Sequence, residues 1–493
     1  MSKQLRAVLI AVFVFAALIV LYLCLKPSET GEDVTSDVSS EAASDTSSVA
    51  DEEKLTLYSY DTALFSSAEI TDFSGNTYHV VRSGDSYDIP ELADLPHYVS
   101  GIQICAERLC AYPYTQETEE SDEVTGLDAP KGKVTVTFTD NTSLTLLIGN
   151  RTDNGLYYMR REGDDVTVLT ATGISSYFVR GTVNYLKTSL FYCVEERRTG
   201  IDNISFTDTE APYPVCIKKT DGDSASALAI SSTYYLTFPT TMSVDSEAFD
   251  TGLTELAAFA AEGAMEIVSE KTDLSQYGLD NPRYVLSFTY QKPLDDDDTS
   301  EENTNPVETH RFAISDADEG GFHYLLSEDG KIVYYFSEDM YSFMSWKLEN
   351  MAGSTFLSPM IKTLDRMRVL YGGREYSFEF TEGDGSISAV RYEDRQLDVD
   401  NFKKFYQVVL GTGWIDLGVK ETGAEPYLSV IFDYHDDLEK ADDTMVFYPY
   451  SLRQYAVEIN GQGAFTVPKT RLDKVVSDLF KVIKNEKVTA FLN

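Results

Sequence analysis

The sequence predicts an α+β protein: three tandem repeat units, each a mostly antiparallel sheet with one or two helices, behind an N-terminal transmembrane helix. Three observations predict it. Gly126-Leu127-Asp128-Ala129-Pro130 recurs as Gly278-Leu279-Asp280-Asn281-Pro282 and, reduced, as Gly423-Ala424-Glu425-Pro426. Downstream of each proline stands a tyrosine with a glycine six residues later: Tyr157 and Gly163, Tyr324 and Gly330, Tyr455 and Gly461. Strand-like runs joined by hairpin-length turns flank a segregated helical stretch in each copy, which points to α+β rather than alternating α/β. The proline-to-tyrosine distances are 27, 42 and 29 residues, and the long one holds a 14-residue acidic stretch from Pro293 to Pro306 whose removal would leave 28. One module used three times accounts for these regularities.

The chain of 493 residues is too long for one compact core, and its 43% hydrophobic content suffices for several. Its 32 tyrosines and 26 phenylalanines favour half-buried strands. A formal charge of −41 argues against partners with phosphate backbones, so no nucleic acid is expected, and it disfavours anionic lipid headgroups. A solubilising surface is the simplest use of that charge; adsorption of divalent cations by acidic loops is the alternative.

Residues 1–26 read as a membrane anchor. Lys3 and Arg6 precede an apolar run from Ala7 to Leu25, and 19 residues at a helical rise span about 28 Å, close to a bilayer core. The run ends Leu21-Tyr22-Leu23-Cys24-Leu25-Lys26 without small residues for a signal peptidase, so an uncleaved single span is expected. Cys24 stands where a lipoprotein signal would place it, but the bulky Leu23 before it fits poorly. Positive charge ahead of the span puts the N-terminus in the cytoplasm and the remainder outside. Residues 27–53, made mostly of Ser, Thr, Ala, Asp and Glu with almost nothing large, read as a disordered acidic stalk.

Unit one covers 64–190. Ile70–Phe73, Tyr78–Arg82 and Ser86–Ile89 read as short strands, followed by a helix between about Leu95 and Cys110. After Pro130, Val134, Val136 and Phe138 alternate with threonines at strand period. Leu144–Ile148, Leu156–Arg160 and Val166–Leu169 continue the meander, and Ile174–Leu186 closes it as a helix. Unit two covers 200–347. Leu253, Leu256, Ala257 and Ala260 fall at helical spacing, with Asp245 and Glu247 at the start. Strands Tyr284–Tyr290 and His310–Ile314 flank the acidic stretch, and Asp329-Gly330 turns a hairpin between Phe322–Leu326 and Ile332–Phe336. Unit three covers 360–492. Phe402, Phe405, Tyr406 and Val409 repeat the helical spacing after Asp400, a candidate N-cap. Tyr427–Phe432, Met445–Tyr448 and Tyr455–Ile459 are strands, Asn460-Gly461 turns to Ala464–Val467, and Val475, Leu479 and Val482 mark a closing helix.

The repeated motif has a sufficient architectural account. Glycine permits φ > 0, leucine plugs the core, aspartate can close a turn by bonding its own backbone, and proline launches a strand. The alternative makes Asp128 and Asp280 acids or metal ligands, but unit three carries Glu425 at a shifted position. Around the second copy, Gln276-Tyr277-Gly278-Leu279-Asp280-Asn281-Pro282 after a helix and before an alternating strand resembles the domain of unknown function DUF4340. The resemblance is best in unit two, extends to unit one and holds only in outline for unit three. It implies a bacterial, membrane-anchored, extracytoplasmic protein associated with ABC-type transporter components like those of gliding-motility systems. It supplies no catalytic residues.

The residues themselves offer little chemistry. His79, His97, His310, His323 and His435 form no His-x-x-x-His or His-Glu-x-x-His pattern, and surface or edge positions explain them. Cys105, Cys110, Cys193 and Cys216 could form two disulfides or remain buried thiols. Cys105 and Cys110, five apart in a helix, are expected to face different ways. Gly411-Thr412-Gly413-Trp414 is too short for a dinucleotide loop, and Asp295–Asp298 lacks a calcium-loop pattern. No catalytic, cofactor-binding or metal-ligating residue is assigned, and no cofactor is expected. Tyr448, Tyr450 and Tyr455, or Tyr334 and Tyr335, could present rings to a glycan or peptide. The expected function is a non-catalytic extracytoplasmic scaffold or binding protein, accessory to an ABC-type transporter or gliding-motility-like envelope complex. A cell-wall glycan or peptide binder is the alternative, and an uncharacterised enzyme the third.

Overall fold

Alternation of side chains sets the sheets. In the strand Gly132–Phe138, Val134, Val136 and Phe138 are buried while Thr135 and Thr137 face outward. In Tyr284–Gln291 the buried set is Tyr284, Leu286, Phe288 and Tyr290. A period of two thus gives each sheet one core face and one wetted face, as antiparallel sheets allow. The computed structural model describes residues 55–220, 230, 232–292, 306–383, 386–438 and 440–490. The expected anchor and stalk, and residues 293–305 of the acidic stretch, lie outside the described residues. No helix among the described residues is long and apolar enough to cross a membrane.

Three antiparallel sheets follow one another along the chain, of eight, nine and nine strands. The third runs, across its width, Arg395–Leu397, Ser386–Tyr392, Arg374–Gly383, Leu364–Tyr371, Leu428–Tyr434, Asp443–Pro449, Gln454–Ile459, Gln462–Pro468 and Asp416–Leu417. Numbered within the sheet by chain position, that order is 4-3-2-1-6-7-8-9-5, and the second sheet has the same order. The first lacks one strand of the opening meander and is otherwise identical. In each, the first strand (Phe65–Thr71, Ile201–Asp208, Leu364–Tyr371) is central, and the strand launched by the repeated proline pairs beside it. The strand after the helix crosses to the far edge.

A helix follows the opening meander of every unit: α1 (Val99–Cys110), α2 (Ser246–Ala257) and α3 (Val399–Leu410). Pro96 keeps Leu95 out of α1, which starts at Val99. Asp245 caps α2, its carboxylate accepting from the Ala248 amide at 3.2 Å. The cap of α3 is Asp398, accepting from Asn401 N at 2.7 Å, and not Asp400. Val399 is already helical, so Asp400 falls within the first turn, beside the positive end of the helix dipole. The closing elements differ: a π-helix and 3-10 turn over Ile174–Tyr185, short turns over Ser342–Met351, and a full helix α4 (Lys469–Val482).

Residues ahead of each sheet lace it to its own helix. Leu57 and Tyr60 donate to the carbonyls of Tyr112 and Cys110 around the end of α1, and Leu190 and Cys193 donate to Phe259 and Ala257 around the end of α2. Beyond α3 the indole of Trp414 donates to the Gly353 carbonyl at 2.7 Å. Buried side chains from Tyr58 to Val488 form one connected core, and residues from Leu55 onward make one compact body.

Candidate functional site

All three motif glycines are left-handed: φ is +69° at Gly126, +65° at Gly278 and +81° at Gly423. Gly126 and Gly278 end short helical turns. The Gly126 amide bonds Asp122 O at 2.8 Å, and Gly278 N bonds Ser275 O at 3.0 Å, as a glycine C-cap does. Leu127 and Leu279 are buried plugs. Asp128 and Asp280 are exposed and make no hydrogen bond among the described residues, so the turn is closed by backbone amides and not, as expected, by the aspartate. The paired glycines Gly163, Gly330 and Gly461 are also left-handed, at +91°, +74° and +79°, and turn the hairpin that follows each tyrosine.

The chemistry near the second motif belongs to its neighbour Arg283. This guanidinium meets Asp208 at 3.2 Å, Glu210 at 2.9 Å and Asp316 at 3.0 Å. Asp208 is buried. Burial pushes its carboxyl up, but the Glu210 amide and Arg283 outweigh it and hold it below the usual range.

A second polar cluster lies at one end of the third sheet. Arg368 forks onto buried Asp433 at 2.6 and 2.8 Å, and Arg366 bonds the same carboxylate. Burial raises the Asp433 carboxyl, and the two arginines bring it below its ordinary value. Asp442, also 3.4 Å from Arg368, is pushed up by burial and by the Asp433 charge. One position on, Asp443 accepts from Tyr434 Oη at 2.6 Å and Asn460 Nδ2 at 2.9 Å, and Lys440 bonds it as well. The Lys440 ammonium lies 3.6 Å from the Tyr434 ring centroid, and burial pushes its pKa down. Each charge here meets an opposite one inside the fold. The acidic run Asp433–Asp443 is its trace in the sequence; the pairing with Arg366 and Arg368, some 65 residues away, is not.

The cleft beside α2, about 340 Å³, is lined by Asp245, Glu247, Thr251, Ser342, Trp346 and Asn350. Within it Ser342 Oγ donates to Glu255 at 2.8 Å and Asn350 Oδ1 accepts from Lys347 N at 2.8 Å, while the buried Trp346 Nε1–H has no hydrogen-bond partner among the described residues. No group of three or more His, Cys, Asp or Glu side chains able to hold a metal ion occurs among the described residues.

The histidines divide. His79, His97, His310 and His435 each face a carboxylate, at 2.7 Å from Glu91, 3.6 Å from Asp88, 3.1 Å from Glu328 and 2.6 Å from Asp365. His323 departs from the expected surface or edge position. Only 4% exposed, it packs against Tyr284 and Phe336 and bonds the Ser315 carbonyl at 3.0 Å. Of the tyrosines proposed as presented rings, Tyr334, Tyr448 and Tyr455 are buried, Tyr335 is half-buried and Tyr450 is exposed. Cys105, Cys110, Cys193 and Cys216 are free thiols. Cys105 and Cys110 are both buried, and the lead-in residues reach the end of α1, Tyr58 Oη donating to Leu109 O and Tyr60 N to Cys110 O.

No curated protein and no solved structure matches the chain. A family model does match, from Tyr114 beside the first sheet's edge to Pro282, the last residue of the second motif. The matched segment thus joins the later half of sheet one to the earlier half of sheet two, taking in both full copies of Gly-Leu-Asp-x-Pro. Over residues 114–282 the chain matches the domain of unknown function DUF4340, a match that supports the DUF4340 family for this segment.

Proposed function

We propose that this protein is a non-catalytic scaffold or binding protein of the cell envelope, held by its N-terminal apolar run with the folded body outside. In this reading it serves as an accessory subunit to an ABC-type transporter or gliding-motility-like complex. The observation that carries it is the threefold use of one sheet topology whose buried charges, at Asp208, Asp433, Asp443 and Asp478, are each met by partners from within the fold. Residues spent this way hold strands and loops in register and leave wide wetted sheet faces for contact. The test is affinity purification of the full chain in mild detergent after in-cell cross-linking. Recovery of transporter subunits in stoichiometric amounts is the expected result; recovery of none overturns the reading.

A second reading, a binder of cell-wall glycan or peptide, draws on the hairpin tip Tyr450-Ser451-Leu452, where Tyr450 is exposed and Leu452 is 95% exposed. Co-sedimentation with purified wall material that survives high salt and is lost in Tyr450→Ala would favour it.

A further inference from the structure

We propose that His435 is a proton-operated clasp: doubly protonated, it ties the linker between the second and third sheets to the end of a central strand, and loss of one ring proton gives up one of these two ring bonds and loosens that linker. The linker ends in the 3-10 turn Ile361–Thr363, directly ahead of Leu364–Tyr371. His435 follows the neighbouring strand Leu428–Tyr434. Its amide donates to Thr363 O at 3.2 Å. Its ring reaches back on both sides, with Nδ1 2.6 Å from Asp365 Oδ1 and Nε2 3.0 Å from the Lys362 carbonyl.

Both ring partners are acceptors. A carbonyl never donates, and an ionised carboxylate has no proton to give, so both contacts are hydrogen bonds only when both ring nitrogens carry hydrogen. A neutral imidazole has one N–H and must abandon either Asp365 or Lys362. The charged groups facing the ring favour the cation. Asp365 comes from the first strand and Glu382 from the second. The nearby Asp433 is already taken by Arg366 and Arg368. Burial alone would push the ring's pKa down; Asp365, the Lys362 carbonyl and Glu382 outweigh it and raise it. The ring is 26% exposed, so the proton exchanges freely with solvent.

The test uses the full chain in mild detergent with 13C-labelled histidine, the His435 signal being assigned by its loss in His435→Gln. His435 is expected to titrate above the ordinary histidine value of about 6.5, and Asp365→Asn, which keeps the ring, should lower that value by about one unit. Amide protection over 361–365, corrected for intrinsic exchange, should fall about tenfold as pH rises through the titration, one unit being a factor of ten. Titration at or below the ordinary value overturns the proposal. So does protection of 361–365 that stays constant while the ring loses its proton, or that is unchanged in both variants.

Discussion

Gly252 lies against the edge of the Trp346 indole: a Cβ at that position would overlap Cζ2 and stand 2.8 Å from Cε2. Within α2, alanine would ordinarily stabilise by about 1 kcal/mol over glycine. Here the methyl meets a side chain 3% exposed and packed among Phe206, Phe249 and Phe343. Overpacking of this kind costs about 1–3 kcal/mol, so Gly252→Ala is expected to lower the thermal midpoint. A rise on calorimetry would show that the indole can shift.

The motif divides its labour between glycine and aspartate. Gly278→Ala forces a side chain into the left-handed region and should destabilise by about 1–2 kcal/mol. Asp280→Asn, at an exposed carboxylate without a hydrogen-bond partner among the described residues, should stay within about 0.5 kcal/mol. Urea denaturation of the two variants checks the contrast; equal losses would return the aspartate to the list of structural residues.

Arg283→Met leaves Asp208 buried without its cation, at a cost of about 1–3 kcal/mol. The pH dependence follows from the sign of the shift. Asp208 is held below the usual carboxylate range, so its contribution is present above about pH 4 and is lost as pH falls through its lowered folded value. Without Arg283, burial is less opposed and that contribution shrinks. Denaturant midpoints measured from pH 2 to 7 should therefore separate most from wild type at neutral pH and converge as pH falls below about 4.

Burial pushes the Cys105 thiol up to about 12 and Cys110 to about 11, so neither supplies thiolate at pH 8. Cys216 is half-buried. Alkylation of the native protein followed by peptide mass spectrometry should mark Cys216 first and reach Cys105 and Cys110 only on unfolding.

What the sequence made legible was whatever repeats locally. The hairpin glycines Gly163, Gly330 and Gly461, and the alternation in Gly132–Phe138, declare themselves within a few residues, and both follow from backbone geometry. The edge strands Gln116–Thr118, Gly263–Ile267 and Asp416–Leu417 escaped notice, being short and partly polar, as edges that resist pairing with other chains tend to be. The α3 cap was misplaced by two residues, since Asp398 and Asp400 both suit an N-cap and only the position of the first helical turn separates them. His323 gave no sign of its burial because its cover, Tyr284 and Phe336, comes from other strands. The Asp433 and Asp443 networks were hidden for the same reason. Charge runs show where acids lie, while the cations that neutralise them arrive by topology.

The lacing of each sheet by the residues ahead of it has a consequence for how such a chain could grow or be cut. A copy of the third module taken from Leu364 would leave behind Gly353 and Phe356, and with them the acceptor for the Trp414 indole and a ring that packs on Phe465. The natural seam lies near residue 353, and the corresponding seam of the second module lies near 188, ahead of the Leu190 and Cys193 bonds. Gene duplication at those seams would hand on each sheet with its threading stitch, whereas a break at the sheet boundary would yield a fragment with an open flank beside its own helix.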